Sequence, residues 1–263
     1  GIFGYGYTGS VTAVTNLVSN AGVVATDVTG VGTARYSLAA CEYGGDKGIF
    51  GFGYSGGDLD ITNLVSNVGV VATDVTGVGT ARYHPAACDY GGDKGIFGYG
   101  YYNSGGSGNY SMTNLVSNVG VLSSDVAGVG TARRYLTATQ YGGDKGIFGF
   151  GYNGGATGVT NLVSSSGVVA SDVSAVGTAR NALAACEYGE DKGIFGFGYL
   201  APGNDPRATA VTNLVSNVGV VGSDVTGVGT ARNYLAACSY GYDKGIFAFN
   251  GYTNLVSNAG VVA

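Results

Sequence analysis

Apolar and small residues alternate along a short stretch that this chain repeats. In residues 48–54, Gly-Ile-Phe-Gly-Phe-Gly-Tyr, the rings of Phe50, Phe52 and Tyr54 occupy every second position. Alternation of period two is typical of a β-strand, so we expect these rings on one face and Ile49 with the glycines on the other. A ring face opposite a glycine face favours stacked sheets, in which the rings of one sheet enter a glycine groove of the next.

The stretch belongs to a repeat that fills the chain. Gly-Ile-Phe recurs at intervals of 47 to 52 residues, starting at positions 1, 48, 95, 146, 193 and 245. One repeat contains an apolar inner strand at 38–43, a turn, the alternating strand at 48–54, and two more short strands at 62–67 and 70–75. Four short strands in a period of roughly 40–50 residues, without helical periodicity, predict an all-β propeller.

Counting the strands predicts a single domain over residues 1–263. The Leu-Ala-Ala-Cys type of inner strand occurs five times, but the other three strands occur six times. We therefore expect six blades of four antiparallel strands, of which one is incomplete, because residues 1 to about 30 supply only strands two to four. A longer array cut at both ends is the alternative. Since the chain starts at Gly1 in mid-repeat, we also expect a processed or partial chain.

The stretch from Arg35 to Tyr54 resembles a kelch-type repeat. It has an Arg ahead of a small-residue inner strand and a second strand that ends in glycines, although a clean diglycine and a Trp in the fourth strand are missing. The resemblance implies a kelch-like β-propeller. Four recurring sequence segments are similar to repeats of bacteriophage and environmental viral structural proteins, which implies a place on a virion. These segments are KGIFGYG, TNLVSN, GVVATD and GVGTAR.

Composition excludes several classes of protein. Glycine makes up 51 of 263 residues without a Gly-X-Y period, and 45% of the residues are hydrophobic, so the chain is neither collagen nor disordered. The net charge is −5 and no basic stripe occurs, which argues against nucleic-acid binding. No stretch has the length of a membrane-spanning helix, and we predict no membrane insertion.

Two sets of recurring side chains are predicted to be structural. The four cysteines occupy the same place in four repeats, and equivalent positions on stacked sheets lie about 10 Å apart, beyond the roughly 7 Å limit of a disulfide. We expect small buried thiols. The other set is one Arg and one Asp per repeat, which we expect to brace the blades through ion pairs or backbone hydrogen bonds. The Arg residues are Arg35, Arg82, Arg133, Arg180 and Arg232, and the Asp residues are Asp27, Asp74, Asp125, Asp172 and Asp224.

Sequence variation is confined to two places in the repeat. One is the loop between strands two and three, and the other is the pair of residues after the recurrent Arg. In an antiparallel meander both places emerge on one face, where loops on a rigid scaffold commonly bind. The alternative is that these loops vary because nothing constrains them. The predicted binding residues are Tyr36, Tyr83, His84, Tyr102, Asn103, Arg134, Tyr135, Asn181, Arg207, Asn233 and Tyr234.

No motif for catalysis or for metal or cofactor binding is predicted. Residues 51–56 match G-x-G-x-x-G, but a dinucleotide site needs a helix after the motif, and here the glycines lie within a strand. His84 is the only histidine and is interpreted as a surface loop residue. Asp58 and Asp60 fall short of the six to eight oxygens that Ca²⁺ takes. Asn109 to Ser111 is a glycosylation sequon, relevant only in a eukaryotic secretory protein.

These patterns predict a non-enzymatic structural or recognition module. The setting is a virion appendage such as a tail fibre, or another extracellular surface assembly, and the partner is a protein or glycan surface of the host cell or virion. One alternative is a secreted, lectin-like, carbohydrate-binding propeller. The other is a glycan-processing enzyme that uses the non-repeating polar residues Asp58, Asp60, His84, Arg134, Asp205 and Arg207.

Overall fold

The computed structural model describes residues 1–200 and 207–263, which form nineteen β-strands and no helix. Sheet 1 contains β1 (Ile2–Tyr7) and β2 (Val11–Leu17). Sheet 2 contains β3 (Ala39–Tyr43), β4 (Lys47–Tyr54) and β5 (Asp58–Val65), and sheet 3 contains β6 (Ala86–Tyr90), β7 (Lys94–Tyr102) and β8 (Gly108–Val116). Sheet 4 contains β9 (Thr137–Tyr141), β10 (Lys145–Tyr152) and β11 (Ala156–Val163).

The last two sheets follow the same order. The short β12 (Arg180–Asn181) pairs with β15 (Tyr199–Leu200) outside them. Sheet 5 contains β13 (Ala184–Tyr188), β14 (Lys192–Gly196) and β16 (Thr212–Val215), and sheet 6 contains β17 (Ala236–Tyr240), β18 (Lys244–Phe249) and β19 (Tyr252–Val256). The prediction of an all-β chain is confirmed.

Each three-stranded sheet is an antiparallel meander with the alternating strand at its centre. In sheet 2 the central β4 pairs with the inner β3 on one side and the outer β5 on the other. The predicted fourth strand is wrong as a regular strand: residues 70–75 meet β5 through two isolated bridges, Val65 with Val71 and Thr62 with Val75, and through the N–H of Ala72, which donates to Leu64 at 2.8 Å. The same two bridges recur in sheets 3, 4 and 5.

A β-bulge interrupts the central strand where strict alternation was expected. The register of β4 against β5 shifts between Gly51 and Gly53, and Phe52 at this point has a φ of 64°. A bulge inserts one unpaired residue and turns the following side chains over. Phe50 consequently packs on Tyr5 of sheet 1 while Phe52 packs on Phe97 of sheet 3. The prediction that Phe50 and Phe52 share a face is therefore wrong.

Rings and glycines nevertheless interlock between sheets as expected. A Cβ at Gly51 would lie 2.8 Å from Cζ of Phe97, and a Cβ at Gly98 would lie 2.7 Å from Cζ of Phe148. The same arrangement joins sheet 4 to 5 and sheet 5 to 6. Only glycine leaves room for the ring at these points, so each sheet is tied closely to the next.

Sheet 6 packs against sheet 1 through the interface that joins the other neighbours. A Cβ at Gly1 would lie 2.7 Å from the sulfur of Cys238, as a Cβ at Gly95 would lie 2.5 Å from the sulfur of Cys41. The ring of Tyr240 likewise lies on Gly22, as that of Tyr43 lies on Gly120. All four cysteines are free thiols that are buried or half-buried at such contacts, and burial raises the pKa of Cys238 to about 11.

The near-constant turns also link neighbouring sheets. The N–H of Gly44 donates to the carbonyl of Asp93 at 2.7 Å, and the N–H of Gly91 donates to that of Asp144 at 2.7 Å. Asp46 accepts from Lys47 and from Asn67 of the neighbouring turn. These contacts account for the constancy of the turns without any binding role.

The recurrent Arg braces the sheets mainly by hydrogen bonds. Arg35 is fully buried and donates to the carbonyl of Phe52 at 2.8 Å and to Oδ1 of Asn63 at 2.7 Å. Its guanidinium also lies 4.2 Å from the ring centroid of Tyr5 in sheet 1. Backbone hydrogen bonding was expected and is found, whereas among the described residues direct pairing with the recurrent Asp is found only for Arg82 and Asp125, at 3.9 Å.

The recurrent Asp instead holds a Thr two residues before the Arg. Asp74 accepts from the N–H of Thr33 at 2.9 Å and from its hydroxyl at 2.6 Å. Asp125, Asp172 and Asp224 bind Thr80, Thr131 and Thr178 in the same way. Burial alone would raise the pKa of Asp74, but the hydrogen bonds from Thr33 and Asn63 outweigh it and lower that pKa. Of the two expected kinds of bracing, ion pairs or backbone hydrogen bonds, the hydrogen bonds are therefore the ones found in most repeats, and Thr occupies the carboxylate.

Among the described residues, no helix exists that could cross a membrane.

Candidate functional site

The pairs of residues after each Arg lie beside the ends of the central strands. The first residue of the pair forms a backbone bridge with a Tyr at or next to the end of that strand, as Tyr36 does with Tyr54 and Tyr83 with Tyr101. Arg134 bridges Tyr152 in the same way, and β12 and β15 make the equivalent pairing in the next repeat. In four repeats one variable position is thereby brought next to a tyrosine from the end of the Gly-Ile-Phe stretch.

A continuous row of tyrosine rings results. Tyr7 and Tyr36 lie 5.6 Å apart between ring centroids, as do Tyr36 and Tyr54. Tyr83 follows at 5.1 Å from Tyr54, and Tyr101 at 5.4 Å from Tyr83. These separations lie within the 4.5–7 Å range of favourable aromatic pairs. The row crosses sheets 1, 2 and 3, so no single repeat could form it. We call it, with the rings described next, the tyrosine face.

The second residue after the recurrent Arg adds further rings to this row. His84 lies 4.7 Å from Tyr83 and 4.1 Å from Tyr135, and Tyr135 lies 5.7 Å from Tyr234. These positions have a φ of 51–56° in all five repeats, although none is glycine. Left-handed non-glycine residues are uncommon. The conformation aligns the backbone for hydrogen bonds between repeats, since the N–H of His84 donates to Ser37 and that of Tyr234 to Ala182.

Arg134 adds a cation to the tyrosine face. Its guanidinium carbon lies 4.0 Å from the ring centroid of Tyr101, 5.2 Å from that of Tyr152 and 5.4 Å from that of Tyr135. An Arg within about 6 Å of a ring face is attracted by the ring quadrupole. Beside it lies a cavity of about 150 Å³, lined by Arg134, Tyr135, Tyr152, Asn181, Tyr199 and Tyr234.

Burial shifts the pKa values of three titratable groups of this face. It raises the pKa of Tyr83 and of Tyr234 to about 12, with further increases from neighbouring tyrosines. Burial, and then the charge of Arg134, lowers the pKa of His84 to about 3. At neutral pH both phenols are protonated and the imidazole is neutral. His84 lies in a loop, as expected, and its half-buried ring lies between Tyr83 and Tyr135.

The remaining predicted residues lie at the margin or apart. Tyr102 stacks on Tyr110 at 4.6 Å, and Arg207 donates to the hydroxyl of Tyr199 at 3.0 Å. Asn103 donates its N–H to a carboxylate oxygen of Asp58 at 2.7 Å, so this acid fixes a loop. Asn233 is half-buried beside Arg232. The candidate acid Asp205, with the rest of residues 201–206, lies outside the described residues.

Sequence reasoning missed the contribution of the central strands. Tyr7, Tyr54 and Tyr152 end their strands, Tyr101 is next to last in β7, and all four supply rings to the tyrosine face. The available signal was their recurrence at the last position before a variable loop, where a constant ring can serve both the scaffold and a surface.

The chemistry of this face is stacking and hydrogen bonding. Within residues 1–200 and 207–263, no three His, Cys, Asp or Glu side chains are grouped as metal ligands would be. Tyrosine presents an apolar ring together with a hydroxyl that donates and accepts.

No protein-family model matches the chain, and no curated protein is significantly similar to it.

Proposed function

We propose that this chain is a six-bladed, kelch-like β-propeller that acts as a non-enzymatic recognition module. The propeller is supported by the interface of sheet 6 with sheet 1, where Gly1 meets Cys238 as Gly95 meets Cys41. A sixth interface of the same kind is what a ring of six blades requires. Sheet 1 is the incomplete blade of this arrangement.

The observation that carries the binding role is the unbroken contact of rings from Tyr7 to Tyr101, with Arg134 lying on Tyr101. Tyr and Arg are enriched in binding surfaces, because they supply large rigid contact area together with polar groups. A backbone held from repeat to repeat keeps these rings in place before a partner arrives, which reduces the entropy lost on binding.

The partner we propose is a protein or glycan surface. The cavity of about 150 Å³ beside Arg134 is smaller than the roughly 300–1,000 Å³ of sites that enclose drug-sized ligands. We therefore expect contact across the face, with one small group of the partner entering the cavity. A virion appendage or another extracellular assembly is the setting we propose, on the similarity of the repeat wording to viral structural proteins.

A secreted carbohydrate-binding protein is the second candidate. The mixture of tyrosine rings with Asn181 and Arg134 around the cavity favours it, since a sugar offers both an apolar ring face and hydroxyl groups. An array of defined oligosaccharides separates the two candidates. Selective binding of the array supports the carbohydrate-binding protein, and its absence leaves the protein surface as the proposed partner.

Single substitutions test the face itself, using the array and intact cells of a bacterial panel as probes. We expect Tyr101→Ala and Arg134→Ala each to weaken binding about tenfold or more, in line with the loss of a central interface residue. Tyr242→Ala is the matched control, because Tyr242 is 94% exposed on a near-constant turn. Equal binding by all three variants contradicts the proposal.

A further inference from the structure

Two arginines of this chain lie outside the repeating pattern, and the structure places both at one cavity. Of the twelve Lys and Arg residues, ten recur as one Lys and one Arg in each of five repeats, and Arg134 and Arg207 are the other two. Arg134 lines the cavity of about 150 Å³ beside the tyrosine face. Arg207 donates to the hydroxyl of Tyr199, which lines the same cavity. The non-repeating positive charge of the chain is therefore concentrated at this site.

Arg134 differs from the repeat arginine before it in the use of its donors. Arg133 donates to the carbonyls of Phe150 and Thr131 and to Oδ1 of Asn161. In contrast, Nε of Arg134 is buried without a hydrogen-bond partner among the described residues, and none of the ion pairs of these residues includes Arg134. A guanidinium has five N–H donors, and a buried donor left without a partner is unfavourable. A ligand with matching acceptors would remove this deficit.

The rings around Arg134 hold its guanidinium without using these donors. The guanidinium carbon lies 4.0 Å from the ring centroid of Tyr101, and 5.2 and 5.4 Å from those of Tyr152 and Tyr135. Stacking uses the face of the planar guanidinium, whereas its N–H groups lie in the plane. The stacked Arg134 therefore keeps the planar fork that binds a carboxylate through two parallel hydrogen bonds.

The other residues around the cavity suit a carboxylate that is carried on a sugar ring. Asn181 is 7% exposed and lines the cavity together with the phenols of Tyr135, Tyr152 and Tyr234. Amide and phenol groups donate to carboxylates and can also exchange hydrogen bonds with sugar hydroxyls. No Asp or Glu is among the described residues of the lining, so a negative group meets no like charge there.

We propose that this cavity binds the carboxylate of an acidic sugar residue, a uronic or sialic acid, at the end of a glycan. The inference rests on the carbohydrate-binding form of the function proposed above, and it specifies the group that enters the cavity. Arg134 binds the carboxylate, Asn181 and the phenols bind sugar hydroxyls, and the tyrosine rings contact the C–H surface of the sugar. A carboxylate of a protein side chain has the same charge but no such ring surface, so the rings favour the sugar.

The experiment uses an array of oligosaccharides that end in a uronic or sialic acid. Each is printed beside its reduced form, in which a hydroxymethyl group replaces the carboxylate, and beside neutral oligosaccharides. We expect at least one acidic oligosaccharide to bind, and its reduced form to bind about tenfold more weakly or worse, as for the loss of a hydrogen-bonded charged group. Arg134→Gln should abolish this preference for the acidic form.

Lys145→Gln is the matched control. Lys145 begins β10, the strand that Tyr152 ends, so the substitution removes the same charge at the far end of the strand from the cavity. The preference for the acidic form should be unchanged in this variant. Thermal unfolding of both variants checks that they are folded.

The single histidine of the chain locates the bound sugar. His84 lies 4.1 Å from Tyr135 in the cavity wall, and after burial the charge of Arg134 is the second cause of its lowered pKa. The acidic monosaccharide that ends the bound oligosaccharide should shift the imidazole NMR signals of His84 in the unsubstituted chain and in Lys145→Gln, but not in Arg134→Gln. Acetylglutamate amide, a carboxylate without a sugar, should bind more weakly.

Four results would overturn the proposal. These are no binding of any acidic oligosaccharide, equal binding of the acidic and reduced forms, a preference that Arg134→Gln retains, and equal or tighter binding of acetylglutamate amide, which would assign the cavity to a protein carboxylate. Binding of neutral oligosaccharides that Tyr101→Ala weakens would then show that only this inference fails. If Tyr101→Ala leaves all binding to the array and to cells unchanged, the recognition role of the tyrosine face fails as well.

Discussion

Arg82 lies over the ring of Phe52, with its guanidinium carbon 3.9 Å from the ring centroid, although the two residues belong to neighbouring sheets. Arg82 is fully buried and donates to the carbonyls of Tyr99 and Thr80 and to Oδ1 of Asn114. Burial lowers the pKa of Arg82 to about 10, with Asp125 opposing the shift. The side chain is therefore charged at neutral pH and joins two sheets by stacking and hydrogen bonds.

Replacing this side chain should destabilise the fold. Arg82→Ala leaves three acceptors without their donor, and each buried unpaired group costs about 1–3 kcal/mol, so we expect a loss of roughly 3 kcal/mol or more in the free energy of unfolding. Arg82→Lys should recover only part of it, because an ammonium lacks the planar fork. Arg207→Ala, at an exposed Arg, is the control. Urea unfolding measures all three, and a loss below about 1 kcal/mol for Arg82→Ala would contradict the bracing role.

The glycine grooves should not tolerate a methyl group. Gly98→Ala places a Cβ 2.7 Å from Cζ of Phe148, and overpacking of this kind costs typically about 1–3 kcal/mol. Gly57→Ala is the matched control, because a Cβ there meets nothing within 4 Å. Thermal unfolding should show a lower midpoint for Gly98→Ala alone. Equal midpoints would mean that the sheets can move apart without cost.

Stability should fall as pH rises between about 5 and 8. Glu42, Asp89 and Glu187 occupy equivalent places near the ends of the inner strands β3, β6 and β13. Burial, and then repulsion by Asp89 and Glu42, raises the pKa of Glu187 to about 8, and burial with Glu42 raises that of Asp89 to about 7. Both folded pKa values exceed the unfolded ones, so the folded chain binds more protons in this window and loses stability as they leave.

Urea midpoints between pH 5 and pH 8.5 measure this dependence. Glu187→Gln should flatten it and raise the midpoint at pH 8 more than at pH 5. Glu190→Gln, at an exposed carboxyl in the neighbouring turn that raises the pKa of Glu187 least among its causes, is the comparison and should flatten the dependence much less. A midpoint of the unsubstituted chain that rises with pH would show that these acids are not held neutral in the fold.

Two tyrosines should ionise only at a pH well above that of an ordinary tyrosine. Burial, reinforced by neighbouring phenols, raises the pKa of Tyr83 and Tyr234 to about 12, compared with an ordinary value of about 10. A spectrophotometric titration of the folded chain should therefore contain a late component, which Tyr83→Phe reduces. If the late component is unchanged in Tyr83→Phe, the ring is more accessible than its place in the tyrosine face implies.

Much of the scaffold could be predicted from local pattern. The repeat period, the short strands, the entry of rings into glycine grooves and the bracing Arg all follow from recurring residues with a clear physical preference. The bulge at Phe52 could not be predicted from the sequence. An aromatic residue rarely adopts a φ of 64°, and the packing of neighbouring sheets imposes this conformation. Strict alternation failed for that reason.

The candidate site was likewise predicted only in part from the sequence. The sequence by itself determined that variation collects after the Arg and after the central strand, since repeats with one fold can be compared position by position. Only the tertiary structure decided that Tyr54 contacts Tyr83, that His84 lies against Tyr135, and that Thr33 rather than Arg35 binds Asp74. These partners lie tens of residues apart or in different sheets, and their contacts depend on how the sheets stack, which no local periodicity encodes.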